Sequence, residues 1–325
     1  MASIALLTAH DRFPWSRQIP GGGAACDGFR FTFGTIAPDC VLAAVSDDPG
    51  REIAVPLPRE RRLVILTEPP GIKTYAPGYL DQFGIVMGPV PTPGHRGRSI
   101  IGQPGLPWFY GVALGAGGNV AHHDADSLAA LPPPKKEAAI SVVLSRKSRL
   151  PKHRARLAFV EMAEKRLGAR LRIFGRGFRE IADKAEAIAP FACHLVLENN
   201  DLDHFWTEKT ADAYLGWALP LFSGCANLDA YFPAGSFVRI DIARPEAAID
   251  AMAAALETGQ QALRRDAIAE ARRRLIAEHN LFALLPRIAR DLAGAPEAAA
   301  LFTLRPNAAF GLLSRMRRLA RRASA

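Results

Sequence analysis

A chain of 325 residues exceeds one small domain and predicts two units of about 130 to 170 residues each. Apolar residues at 49% and charged residues at 22% describe a globular protein with real cores, and no run of 18 apolar residues is available to span a bilayer. The net charge of +9 is concentrated: no acidic residue follows Glu297, whereas Arg305, Arg315, Arg317, Arg318, Arg321 and Arg322 do, which leaves a nearly balanced body without the broad basic face of a nucleic-acid enzyme.

The opening Ile4-Ala-Leu-Leu7 is a short apolar run with no basic lead-in, so it reads as a first buried strand rather than a signal peptide. Segments 62–67 (Arg-Leu-Val-Ile-Leu-Thr) and 85–87 (Ile-Val-Met) read as further buried strands, separated by Gly- and Pro-rich stretches that predict long loops. Leu131-Pro-Pro-Pro-Lys-Lys136 reads as an extended connector, because consecutive prolines disfavour helix. Beyond it, strand patterns at 139–144, 171–174, 194–197 and 219–222 alternate with helix patterns at 154–167, 207–217, 245–256 and 260–279. Short apolar runs alternating with helices predict an α/β, doubly wound architecture with parallel sheets. The expected division is 1–133, 134–300 and a basic tail at 301–325. Cys26, Cys40, Cys193 and Cys225 show no CxxC or zinc spacing and predict thiols in a reducing cytoplasm.

The most informative stretch runs from Phe191 to Gly224: a buried strand, a polar loop, a helix and another buried strand. Glu198 and Asn199 fall at the C-terminal end of the strand, where open α/β sheets bind ligands. Thr207 is a good N-cap, and the helix after it offers unpaired N–H groups and a positive dipole end. Lys209 in the first turn is locally unfavourable, which makes sense if an anion such as a diphosphate neutralises it. Glu208 beside it is an acceptor suited to ribose or sugar hydroxyls.

The order Glu198-Asn199, a short loop, Thr207-Glu208-Lys209, a helix and then Leu219-Pro-Leu-Phe-Ser-Gly224 resembles the donor signature of the α-1,3/4-fucosyltransferases, glycosyltransferase family 10. Ile173-Phe-Gly-Arg-Gly177 and the segment 227–237 are similar to bacterial members. The likeness covers 140–242 well and 62–111 loosely. It implies the GT-B fold, two Rossmann-like doubly wound domains facing across a cleft, the first binding acceptor and the second the nucleotide-sugar donor. It also implies inverting transfer of L-fucose from GDP-fucose to a glycan hydroxyl, in an N-acetylglucosamine-containing acceptor with α-1,3/4 linkage. The alternatives are another GDP-sugar on the same fold, or a glycan-binding homologue without catalysis. Carried over by position, Lys209 binds the diphosphate and Glu208 the ribose or fucose hydroxyls. Asn199 lies in the donor loop, and Phe205 stands where some members have tyrosine. Arg156 matches the phosphate-binding arginine, with Arg154 as the competing candidate.

An inverting transfer needs one base for the acceptor hydroxyl and cations for the departing diphosphate. Glu68 ends the 62–67 strand pattern ahead of Pro69-Pro70 and so sits at a strand's C-terminal end; it also falls where the family has its proposed base, in Thr-Glu-Pro-Pro here. Trp15, Arg17, Trp108, Phe109 and Tyr110 are candidates for acceptor stacking, with core packing the equal alternative. His122, His123, Asp124 and Asp126 lack metal-ligand spacing, so neither a metal nor another cofactor is expected. Leu312, Leu313, Met316 and Leu319 form an apolar stripe among arginines, so 305–322 reads either as a peripheral anchor on anionic lipid or as a disordered basic tail. The expected location is the cytoplasm, with a peripheral position on the inner face of a bacterial membrane as the alternative.

Overall fold

The computed structural model describes residues 1–115, 118–148, 150–296 and 299–311. The apolar stripe at 312–319 and the arginines after Gly311 lie outside the described residues. No helix among the described residues is long and apolar enough to cross a membrane.

The chain forms two compact units, one of residues 1–13, 24–105 and 281–325, the other of 14–23 and 106–280. This corrects the expected boundary at 131–136. Three features of the second unit explain the shift. Trp108, Tyr110 and Leu128 are buried in its core. The Trp217 indole N–H donates to the Leu131 carbonyl at 3.0 Å. The Lys136 ammonium donates to the carbonyls of Ile188, Ala189 and Gly216. The prolines therefore stiffen a segment inside the unit. Of the expected tail, the described part 301–311 belongs to the first unit, where Phe302–Leu304 pairs antiparallel with Ile53–Val55.

The first unit is built on β1 (Ser3–Leu7), β2 (Phe29–Phe33), β3 (Cys40–Ser46), β4 (Arg62–Ile65), β5 (Ile85–Gly88) and β6 (Arg98–Ile101), all parallel in the order β2-β1-β3-β4-β5-β6. The residues of β1 are buried without exception, as expected of a strand covered on both faces. The direction of winding reverses between β1 and β3, so the crevice beyond their C-terminal ends is the switch point of this sheet.

The second unit repeats the plan with β7 (Glu137–Val143), β8 (Leu171–Phe174), β9 (Phe191–Leu197), β10 (Leu219–Ser223) and β11 (Val238–Arg239), parallel in the order β8-β7-β9-β10-β11. Helix α1 (Pro151–Leu167) opens on a proline and ends at Gly168 with φ 55°, where a Cβ would be strained. Helix α2 (Glu208–Leu215) is capped by the Thr207 side chain, and α3 (Pro245–Glu257) again opens on proline. The core is aromatic at its centre, with Phe159, Phe174, Tyr214, Phe222 and Phe232 fully buried; truncating one such phenylalanine to alanine costs about 3 to 5 kcal/mol. Both units are α/β with the doubly wound, Rossmann-like order expected.

Candidate functional site

The switch point of the second sheet lies between β7 and β9. Arg156 comes from α1, which follows β7, and Asn199 comes from the loop that follows β9. The Arg156 guanidinium Nη1 donates to the Asn199 side-chain carbonyl and so bridges the crevice. Arg156 is 8% exposed, and its Nε has no hydrogen-bond partner among the described residues. Burial lowers its pKa, opposed by the nearby Glu198 and Glu208. A buried cation with an unused donor beside a ligand crevice is poised for an anion.

Beside it, Glu198 is fully buried and organises the loop and the start of α2. Its carboxylate accepts from the Thr207 backbone N–H at 2.8 Å, the Thr207 hydroxyl at 2.7 Å and the Thr210 hydroxyl at 3.1 Å. The Lys209 ammonium completes the set at 3.3 Å. Four donors satisfy a carboxylate that burial alone would make costly. Gly224 permits this packing: a Cβ there would come within 2.8 Å of the Glu198 side chain and 2.7 Å of the Phe222 ring. The anion that offsets Lys209 at the positive helix end is thus the protein's own Glu198. The unfavourable placement of Lys209 does not by itself require a ligand.

Charges alternate along α2. Glu208 lies 3.2 Å from Lys209 and 3.9 Å from Lys184, and Lys184 lies 2.6 Å from Asp212. Burial would raise the Glu208 carboxyl, but Lys209 and Lys184 override it and lower the pKa to about 2. Burial likewise works against the Lys209 ammonium, and Glu198 and Glu208 more than offset it, so its pKa is raised. Asp212 is pushed up by burial despite Lys184. Its carboxylate also takes the N–H groups of Phe109 and Tyr110, at 2.8 and 2.9 Å. At neutral pH Glu208 is an ionised acceptor, partly exposed between two ammonium groups.

The remaining candidates separate clearly. Arg154 is exposed on α1, donating to the Ser148 carbonyl at 3.1 Å, away from the Arg156–Asn199 bridge. Phe205, expected at the donor, is 2% exposed, so its ring offers no face to a ligand. Trp15, Trp108 and Tyr110 are also buried, and Arg17 donates to the carbonyls of Trp108, Tyr110 and His123. Packing claims these four residues rather than acceptor stacking. Phe109 is only half-buried, with the Lys184 ammonium 5.0 Å from its ring centre. Asp124 caps the helix Ala125–Ala130, and Asp126 accepts from the Gly21 and Gly22 N–H groups. Glu68 belongs to the other unit, exposed just beyond the C-terminal end of β4, the strand-end position the sequence predicts.

Three members of the charged cluster escape a reading by motif: Glu198 as the buried hub, Lys184 and Asp212. Asp212 stands four residues after Glu208, a spacing that signals a shared helix face. In the fold Asp212 is buried on that face and Glu208 is partly exposed.

No protein-family model matches the chain, and no curated protein matches it by sequence. Among solved structures it is similar to an α1,3-fucosyltransferase crystallised with GDP, at a TM-score of 0.48 and 16% identity over 82% of this chain and 81% of that one. The α1,3-fucosyltransferase structure with GDP-fucose gives a TM-score of 0.46 at 15% identity with the same coverage. The TarM crystal structure gives 0.45 at 10% identity, over 80% of this chain and 52% of that one. At identities this low the likeness concerns the general fold alone.

Proposed function

We propose that this protein is an inverting glycosyltransferase of the GT-B type, transferring L-fucose from GDP-fucose to a hydroxyl of an N-acetylglucosamine-containing glycan. The observation that supports the reading most is the cationic pair at the second switch point: Arg156, with its unused Nε, and Lys209, held by Glu198 at the start of α2. In this reading Arg156 and Lys209 take the donor diphosphate, and Glu208 accepts from ribose or fucose hydroxyls. Asn199 holds Arg156 in register. The Glu68 carboxylate removes the proton from the acceptor hydroxyl. That oxygen bonds to the anomeric carbon as the bond from this carbon to the β-phosphate oxygen breaks. A single displacement inverts the sugar centre, and the charge on departing GDP is offset by the two cations.

Titration calorimetry with GDP tests the core of the reading. Micromolar binding that Arg156→Ala weakens at least tenfold is the expected result. A protein indifferent to GDP sinks it. A panel of GDP- and UDP-sugars, assayed for nucleotide release, distinguishes fucose from another GDP-linked sugar.

A further inference from the structure

Two ties join the first turns of α1 to the loop after β9. At one, the Arg156 guanidinium donates to the Asn199 side chain. At the other, the Lys152 ammonium donates to both carboxylate oxygens of Asp201, at 2.6 and 2.5 Å. His153 and Asn200 stand between these ties in the sequence, one on the helix and one on the loop. His153 lies three residues before Arg156 on α1, so the two share a helix face.

Three buried side-chain nitrogens here, His153 Nδ1, Arg156 Nε and Asn200 Nδ2, have no hydrogen-bond partner among the described residues. The Asn200 side-chain oxygen accepts the Leu202 N–H at 2.9 Å, which leaves its Nδ2 to donate. Buried polar atoms without partners are costly, and native folds leave few of them. Three of the eight such atoms among the described residues fall on these two joined segments, a concentration that marks a place made to receive a ligand.

The donors define what that ligand is. Arg156 Nε and Asn200 Nδ2 only donate, and a neutral imidazole donates from whichever nitrogen carries its proton. Arg156 is also a cation with 8% exposure, and no side chain caps the positive end of α1 at Leu150. Helix α2 differs: Thr207 caps it, and Glu198 answers Lys209. A group rich in acceptors and negatively charged fits the start of α1, and a diphosphate is both.

We infer that His153 and Asn200 complete, with Arg156, a diphosphate cradle at the start of α1, adding two donors to the two cations already assigned. This deepens the GDP-sugar reading and rests on it for the identity of the nucleotide. The cradle itself asks only for a diphosphate.

Titration calorimetry with inorganic pyrophosphate and with GDP is the test. His153→Phe keeps a ring and removes its nitrogens. Asn200→Asp keeps an acceptor for the Leu202 N–H and turns the donor into an anion. Each is expected to weaken pyrophosphate and GDP about tenfold at an unchanged melting temperature. Wild-type affinity for pyrophosphate in both variants overturns the inference, as does a loss of binding that tracks a lowered melting temperature. Pyrophosphate held through these residues, with no preference for GDP over ADP or UDP, leaves the cradle standing and removes the GDP-sugar reading. Variants that bind pyrophosphate as the wild type does, while the wild type turns over GDP-fucose, do the reverse. A wild type that binds neither ligand overturns both.

Discussion

The Lys209 ammonium lies 3.3 Å from the carboxylate of Glu198, a residue with no exposed surface. Removing Lys209 leaves the Glu198 charge buried without a counter-charge, a loss of about 3 to 5 kcal/mol, whereas removing the Glu198 charge leaves Lys209 with Glu208 alone at 3.2 Å. Glu198→Gln keeps the shape and the Thr207 contact but strips the charge from beneath Lys209. It is expected to lower the denaturation midpoint strongly in chemical unfolding. A variant as stable as the wild type contradicts the role of Glu198 as hub.

The two arginines of α1 should part in a binding experiment. Arg156→Ala is expected to weaken GDP at least tenfold by calorimetry, because charge-assisted bonds contribute about 1.5 to 3 kcal/mol. Arg154→Ala, on the exposed side of the helix, is expected to change affinity less than about twofold. Equal effects would mean that the Arg156–Asn199 bridge does not mark the anion site.

Glu68→Gln separates chemistry from donor binding. Turnover is expected to fall by about 100- to 10,000-fold, the range for a positioned general base, while GDP affinity stays the same. Unchanged turnover removes Glu68 from the mechanism.

Acid stability should report on His194 before it reports on Glu208. His194 is buried in β9, where its Nδ1 pairs with the Ser141 hydroxyl at 2.8 Å, and burial lowers its pKa from 6.5 to about 3. Below 6.5 the unfolded chain takes up a proton that the folded chain refuses, so stability is lost as pH falls from 6.5 toward 3. Glu208, lowered from 4.5 to about 2, contributes stability above 4.5 that is lost as pH falls from there toward 2. Denaturant melts at pH 5 to 6.5 are expected to show a slope that His194→Gln flattens. An equally steep slope in the variant would rule out His194 as its source.

What could be read from residues alone was local. The run from β9 through Glu198 and Thr207 into α2 is contiguous, and its cap and strand end carry sequence signals, so the element order is as expected. The choice between Arg154 and Arg156 is not local. Residues two positions apart on a helix point about 200° apart, and only packing decides which faces the crevice. Segment Phe29–Phe33 and the apolar Cys40–Ser46 form strands to which the sequence reading assigns no element. Their neighbours are β1 and β4, so the evidence for them lies in pairing across the sequence.

The chain enters the second unit for 14–23, leaves, returns at 106 and departs again after 280. A graft of the second unit therefore cannot be made by joining two genes at the proline run. The transplantable block is 106–280 together with 14–23, because Gln18 accepts the Trp108 N–H at 2.8 Å and Asn280 donates to the Gln18 carbonyl. Chimeras cut at 133 would strand helix Ala125–Ala130 with the wrong parent and deprive the borrowed core of Trp108, Tyr110 and Leu128.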